Sequence, residues 1–555
     1  MLGFIDWAII AAYFLLLGSV VWWSSRKQDS TADYFLAGRN VGWFAIGASL
    51  FASNVGSEHI VGLAGAGAST GMAAAHWELH SWILIMLAWI FVPFYYKSGV
   101  YTIPEFLERR FNSTARWILS LVSLAAYVFT KVSVTVYAGA LVFKTLLPDT
   151  FGSPENAFWV GAFATVAMTG VYTVFGGMRA VLYTDMIQAF ILLVGSAFVT
   201  YFGLQELGGW SQLKTFVSED VAKYSLWRPM SDPDFPWLGI LIASPIVGIW
   251  YWCTDQYIVQ RTLTARDLTT ARRGAIWGAM LKIWPVMIFL VPGLIGAALH
   301  AKGAIQIPVD ENGVIVGDQV FPTMVAEMLP VGFRGLVVGG MLAALMSSLS
   351  SLFNSSASLF TVDIYQKLCP NASEKSLVSV GRVATVVVVG LGLLWIPIMP
   401  RIATGGLYKY LQSVQGYLAP PITAVFLLGL FYKRTNGPAA VVGLGLGTLL
   451  GMGKLTIQAI YGLGEGKVSD PKWLAAIGDF HFLYTSGILF AATIVIVLLV
   501  SHITAPPDEE RIKGLTYDLV DKDEIRASWN GWDVVATVVV LGLTFGIYAY
   551  FSFWV

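Results

Sequence analysis

Fourteen predominantly apolar runs divide the chain, near residues 5-24, 43-68, 72-95, 115-146, 157-177, 181-205, 237-260, 274-301, 333-363, 376-398, 405-431, 437-461, 482-502 and 531-553. A hydrocarbon core of about 30 Å takes roughly 20 residues of helix to cross, so each run is long enough to span. Inside lipid every backbone N–H and C=O has to be satisfied without water, which leaves the helix as the expected form of each run. Composition agrees: 56% of the 555 residues are hydrophobic and 12% are charged, with a mean hydropathy of +0.68, which excludes an ordinary soluble domain. The formal net charge of +0 offers no overall attraction to nucleic acid. The expectation is an all-α polytopic membrane protein, with the lipid bilayer as its surroundings.

Basic residues fall in alternate loops: Arg26, Lys27 and Arg39, then Arg109 and Arg110, Arg179, the group Arg261, Arg266, Arg272 and Arg273, Lys367 with Lys375 and Arg382, Lys433 with Arg434, and Arg511 to Arg526. By the positive-inside rule those loops are cytoplasmic and both termini lie outside. The opposite loops, 206-236 and 302-330, are longer and lean acidic. The sequons at Asn112, Asn354 and Asn371 then fall in cytoplasmic loops or a span, where glycosylation is not expected. Cys253, within a span, and Cys369, in a polar loop, read as plain thiols. The first run has Asp6 before it and no small-residue cleavage site after it, so it reads as a retained span rather than a signal peptide.

One run carries an unusual cargo. Ala52-Ser53-Asn54-Val55-Gly56-Ser57-Glu58-His59-Ile60-Val61-Gly62 places glycines, small hydroxyls and a carboxylate in the middle of a span. A helix broken at that depth is tolerated where the freed carbonyls line a site, so this stretch is expected to bind an ion and a substrate. A second break fits 239-260, where Pro245 and Gly248 precede Trp250-Tyr251-Trp252-Cys253-Thr254-Asp255-Gln256. Two broken helices, five spans apart, are the pattern of an inverted-repeat transporter with its site at the repeat interface. The organisation expected is an extra helix and cytoplasmic loop over 1-42, a first five-helix repeat over 43-205, an extracellular loop over 206-236, a second repeat over 237-432, and three more helices over 433-555.

In the run 333-363, Ala344, Ser347, Ser348 and Ser351 share one helical face. Such hydroxyls suit a small hard cation such as sodium, with the carbonyls of Ala52 and Val55 completing the shell; small residues that merely let helices pack closely fit the same pattern. The ionisable residues inside runs are Glu78, Lys131, Asp185, Asp255, Lys282 and Lys409, each a functional candidate because charge is costly in the bilayer. Glu78 and Lys282 suit polar grips on a neutral hydroxylated ligand or a structural pair. Asp185 reads equally as a plain charge near a helix start, and Asp255 with Arg261 as a structural group at the cytoplasmic end. No arginine is expected at mid-depth, which argues against an anionic substrate. His76 and His80 stand at i and i+4, but the intervening Glu78 has the wrong offset for a zinc-protease helix and no third ligand is evident, so no enzyme is expected. Tyr251 and Trp252 offer rings that stack on an apolar sugar face or simply pack.

These motifs bring a family with them. The chain resembles the sodium/solute symporters, and within them the sodium/glucose cotransporter branch, over nearly its whole length. The matching residues include Asp33-Tyr34-Phe35-Leu36-Ala37-Gly38-Arg39, Gly47-Ala48-Ser49-Leu50-Phe51-Ala52-Ser53-Asn54, Tyr101-Thr102-Ile103-Pro104-Glu105-Phe106, Gly176-Gly177-Met178-Arg179-Ala180-Val181, Thr361-Val362-Asp363-Ile364-Tyr365 and Tyr417-Leu418-Ala419-Pro420-Pro421, besides the second broken helix. The resemblance implies the leucine-transporter fold with one helix before it and three after.

It also implies a sodium site made by the carbonyls of Ala52, Val55 and Ala344 and the hydroxyls of Ser347 and Ser348. A second sodium, found in some relatives, would use Asp185, Ser348 and Ser351. The implied sugar site comprises Asn54, His59, Glu78, Ser81, Lys282, Gln412 and the stacking gate Tyr251, with Tyr127, Trp252 and Tyr408 nearby. Gly248 stands where some sugar carriers have a polar side chain, and Lys409 where some have an acid. The function expected is therefore sodium-coupled import of a neutral monosaccharide such as glucose or galactose by alternating access. Myo-inositol or another polyol or small solute is the alternative. A transporter-like sugar sensor is less favoured, since only a polar loop, 501-530, and one span follow Val500. Short loops point to a multi-pass protein of a plasma membrane, the bacterial inner membrane.

Overall fold

The computed structural model describes residues 2–25, 30–56, 58–148, 150–311, 313–398, 407–464, 466–519 and 522–555. Among them the regular structure is helical throughout, and the only β pairing is four isolated bridges such as Val41 with Ala265. Among the described residues twelve helical stretches are long and apolar enough to cross a membrane. The run 72-95 and the end of 43-68 are continuous in His59–Ser98, and the runs 157-177 and 181-205 are continuous in Pro154–Leu207.

The latter stretch has 54 residues, about 81 Å at 1.5 Å per residue, far more than one crossing needs. It turns at Gly177, whose φ of 55 and ψ of −161 lie outside the helical region. A β-carbon there would stand 2.7 Å from the Tyr34 carbonyl oxygen, so the corner needs glycine for both its conformation and its close approach.

Burial sorts the helices into a centre and a surround. The most apolar window of Phe333–Leu368 is 94% buried, while that of Gly531–Ser552 is 17% buried and that of Phe4–Ser24 is 22%. The outer helices carry large exposed apolar side chains, among them Leu15, Phe190, Leu449, Leu499 and Val538. Such a surface is costly in water and natural in hydrocarbon.

Both expected breaks occur. The helix Trp43–Asn54 stops at Val55 (φ −87, ψ 86). The Gly56 N–H folds back onto the Asn54 carbonyl at 3.1 Å before a π turn, Glu58–Leu63, leads into Ala64–Thr70. The second broken helix runs as Trp237–Ile249, with Pro245 inside it, then through a π turn, Trp250–Thr254. It halts at Asp255 (φ −84, ψ 124), whose carboxylate caps the next helix, Gln256–Leu263, by accepting from the Tyr257 N–H at 3.3 Å. The two breaks touch: the Tyr257 hydroxyl donates to the Ser53 carbonyl. Between and around them lies the serine-rich helix Phe333–Ser358.

Candidate functional site

The polar residues of the core sit where helices are interrupted. Asn54 ends one helix, His59 lies in the π turn Glu58–Leu63, Tyr251 and Trp252 in Trp250–Thr254, and Tyr127 and Lys131 in Tyr127–Val132. Lys282 caps Leu268–Leu281 just before Pro285, which cannot donate to continue the helix. Glu78 closes the short turn Ala75–Glu78 before a new helix starts at Ser81. Interruptions of this kind expose backbone and aim side chains inward, and π turns are frequent at functional sites.

These residues converge on one cavity, bordered by Asn54, His59, Trp77, Glu78, His80, Lys131, Gly248, Tyr251, Trp252, Lys282, Gln412 and Gln415. A chain of hydrogen bonds crosses it. Lys282 Nζ donates to Glu78 Oε2 at 2.5 Å and to Asn54 Oδ1 at 2.7 Å, and Asn54 Nδ2 donates to the Tyr251 hydroxyl at 3.1 Å. His59 Nε2 stands 3.7 Å from Glu78 Oε1, beyond hydrogen-bond length. The Lys282 ammonium lies 5.5 Å above the Trp252 ring. Gln412 Oε1 is buried with no hydrogen-bond partner among the described residues, as expected of a group that awaits a ligand. A charged pair, amides, an imidazole and aromatic faces together suit a neutral molecule rich in hydroxyls.

Of the residues expected at the site, Ser81 is fully buried and does not border the cavity. Tyr127 stands one layer away, bonded to Asp255. The Tyr408 side chain lies outside the described residues. Trp77 and Gln412 also border a second, wider cavity lined by Gly65, Ser69, Asp234, Phe235, Asp310 and Phe482, so the site adjoins that space.

Another part of the cavity wall is built of charge and rings. Lys131 Nζ meets Asp255 Oδ2 at 2.5 Å, and the Tyr127 hydroxyl donates to the same carboxylate. The Lys131 ammonium lies 4.5 Å from the Tyr257 ring centre and 4.7 Å from that of Tyr251, a cation–π arrangement. Asp255 therefore pairs with Lys131 and not with Arg261, correcting the reading of Asp255 and Arg261 as one structural group. Lys131→Met is expected to strand the enclosed Asp255 carboxylate at a cost of about 3–5 kcal/mol. The thermal denaturation midpoint should fall, and adding Asp255→Asn should recover most of the loss. An unchanged midpoint in the single variant would show that the pair does not stabilise this part of the wall.

Arg261 is fully buried and serves another carboxylate. Its Nε donates to Ser53 Oγ at 2.8 Å and to Ser49 Oγ at 3.2 Å. Both serines in turn donate to Asp185 Oδ2, at 3.2 and 2.5 Å. Sequence spacing had grouped Arg261 with the loop residues beyond it, whereas the fold encloses its side chain within the protein. Asp185 is likewise no mere helix-start charge, because Ser347 Oγ donates to its other oxygen at 2.6 Å. Ser348 Oγ donates to the Ser53 carbonyl at 3.2 Å, and Ser351 shares a hydrogen bond of 2.8 Å with Ser53. These hydroxyls join the serine-rich helix to the first broken helix beside Ala52 and Val55. Sequence reasoning did not name Ser49 and Ser53 as site members, although Ser53 follows Ala52 in the broken stretch and Ser49 stands in the motif Gly47 to Asn54.

His76 and His80 have separate partners: His76 Nε2 lies 3.1 Å from the Leu226 carbonyl and His80 Nε2 lies 2.7 Å from Ser244 Oγ.

The fold matches that of a Na+-coupled sialic acid symporter solved in a substrate-bound outward-open state, with a TM-score of 0.76, 24% identity, and coverage of 91% of this chain and 99% of that one. A weaker likeness, with a TM-score of 0.51 and 16% identity over 88% of this chain and 98% of the other, is to Mhp1, a nucleobase-cation-symport-1 family transporter in a closed conformation. In sequence the chain is 38% identical to the sodium/glucose cotransporter 1 of Ovis aries over 95% of its own length and 83% of that protein. It is 40% identical to the sodium/myo-inositol cotransporter 2 of Sus scrofa over 92% of its length and 78% of that protein. The model of the sodium:solute symporter family matches residues 34–447, and with relatives this similar over nearly the whole chain, the protein belongs to that family.

Proposed function

We propose that the chain is a sodium-coupled symporter that imports a neutral sugar, glucose or galactose, or the related polyol myo-inositol, by alternating access. The observation that carries this reading is the hydrogen-bonded chain Tyr251–Asn54–Lys282–Glu78, which lies where both broken helices meet. Hydroxyl groups of a sugar can exchange with these bonds one for one, and the rings of Tyr251 and Trp252 cover its apolar faces. Among the described residues no arginine borders the cavity, which suits a neutral substrate.

Sodium is cargo in this scheme. Its ligands are the carbonyls of Ala52, Val55 and Ala344 and the hydroxyls of Ser347 and Ser348, with Asp185, Ser348 and Ser351 as the second site. The hydroxyl contacts to Ser53 and Asp185 support this, because they already draw the two helices together. Sodium bound there stiffens the first broken helix and so forms the sugar pocket beside it. In our reading fourteen spans cross the membrane with both termini outside, and the repeats cover 43-205 and 237-432. The cavity bordered by Asp234 and Asp310 is then the outer vestibule, Trp77 and Gln412 flank the entrance, and the Lys131–Asp255 pair closes the inner side. Short loops favour a bacterial plasma membrane.

The coupling is sufficient. One charge moving through 100 mV gains about 2.3 kcal/mol, and a tenfold sodium gradient adds about 1.4 kcal/mol. Together these sustain roughly 500-fold accumulation per sodium ion. Uptake of labelled glucose, galactose and myo-inositol into proteoliposomes tests the reading. Accumulation above equilibrium with an inward sodium gradient, lost when potassium replaces sodium, is expected. Equal uptake in both salts would refute the coupling, and no uptake of any of the three would refute the substrate class.

A further inference from the structure

His80 borders the substrate cavity, yet the site described above gives it no role. Its ring is held in one tautomer by a relay. Ser244 Oγ donates its single hydrogen to the His76 carbonyl at 2.9 Å, because a carbonyl can only accept. The same oxygen lies 2.7 Å from His80 Nε2 and, with its hydrogen committed, can only accept there. Nε2 therefore carries the proton, and the neutral ring is left with Nδ1 as a bare acceptor.

Nδ1 lies beside Gly248, a position in the second broken helix that has no side chain. A β-carbon on Gly248 would stand 3.1 Å from His80 Nδ1, 3.0 Å from Cε1 and 2.3 Å from Ile83 Cδ1. Gly248 itself borders the cavity. Any side chain at 248 would thus press on the imidazole edge and the neighbouring isoleucine, so glycine is what fits beside that edge, and His80 and Gly248 border the cavity together. Among the described residues Nδ1 takes no hydrogen bond; the Nε2 contact is the one side-chain hydrogen bond that His80 makes.

We propose that His80 is a specificity-determining residue, whose Nδ1 accepts a hydrogen bond from one hydroxyl of the transported molecule at the cavity wall that it shares with Gly248. The inference rests on the sugar or polyol reading above and adds a direction to it. Lys282 donates and Glu78 accepts, but each is already engaged with the other, whereas His80 offers an acceptor with no protein donor. At that position the substrate has to give a hydrogen. A hydroxyl does so; a fluorine, a methoxy group or a bare methylene cannot.

The test is competition of singly deoxy and singly fluoro analogues of the transported hexose or inositol against labelled parent, in wild type and in His80→Phe, which keeps a ring of similar size. In wild type, the deoxy and fluoro analogues of one position should both bind about tenfold or more weakly, since a site built around a hydrogen bond rejects a substrate that lacks the group. In His80→Phe the parent should fall toward those analogues and the penalty at that position should shrink to about twofold, while penalties at other positions persist. An unchanged analogue profile in His80→Phe would overturn the assignment. Should that variant not fold, Ser244→Ala keeps the histidine and frees its tautomer. It should soften the same single penalty while sodium still raises thermal stability, and an unaltered penalty there would equally overturn the assignment. If wild type accumulates its sugar and only the profile fails, His80 is refuted alone; if wild type takes up no hexose or inositol, the substrate reading falls and this inference with it.

Discussion

Lys282→Met is expected to abolish sodium-driven sugar uptake and to destabilise the protein at the same time, and the second effect should be reversible without the first. Lys282 and Glu78 are both almost wholly buried, their side chains 1% and 2% exposed, with 2.5 Å between Nζ and Oε2. Removing the ammonium leaves a carboxylate enclosed without its countercharge, which costs about 3–5 kcal/mol. Removing both charges does not, because a buried pair replaced by groups of similar volume is often neutral or stabilising. Lys282→Met with Glu78→Gln should therefore regain the thermal midpoint of the wild type while uptake stays at least about a hundredfold down, the loss of two charge-assisted contacts to hydroxyls. Sodium should still raise the midpoint in the double variant, since its proposed ligands lie on other residues. Saturable uptake at wild-type affinity in Lys282→Met would remove the pair from the site, whatever the stability data showed.

The general plan of this molecule was readable from residues alone because lipid leaves few choices. Apolar length fixes where helices run, and glycine with polar residues inside such a run fixes where they break; Val55 and Asp255 are the outcomes. Partnership across helices was not readable. Spacing places Asp255 within one turn or two of Arg261, and both were read as one group, whereas the fold turns Asp255 toward Lys131 and Arg261 toward Ser49 and Ser53. A π turn rotates the side chains that follow it relative to an α-helix, so the face on which Tyr127 or Lys131 lands cannot be counted off in steps of three and four. One clue was available: an unlike pair of buried charges, Lys131 and Asp255, each too costly to bury alone. The imidazoles of His76 and His80 stand at a metal-ligand spacing, a reading set aside for want of a third ligand, and the fold sends each to a different oxygen.

The proposed sodium site is where geometry and resemblance make distinguishable claims about one hydroxyl. Ser347 Oγ donates to Asp185 Oδ1 at 2.6 Å, and in our reading it also offers its lone pairs to sodium. If Ser347 served only to solvate the carboxylate, its loss would act through Asp185 alone. Ser347→Ala is expected instead to raise the half-saturating sodium concentration for uptake about tenfold or more, because a small hard cation loses one of few oxygen ligands. The same shift is visible without transport. At sodium one hundred times Kd, binding stabilises the folded protein by about 2.7 kcal/mol, and a tenfold weaker Kd leaves about 1.4 kcal/mol. The sodium-dependent rise in denaturation midpoint should therefore fall by about half. Asp185→Asn decides between the two roles: a ligating Ser347 predicts that Ser347→Ala still weakens sodium in the Asp185→Asn background, and a purely supporting one predicts that it no longer matters. Sodium activation unchanged by Ser347→Ala in the wild-type background would exclude this hydroxyl from the ion's shell, and the contact between the serine-rich helix and Asp185 would then be structural.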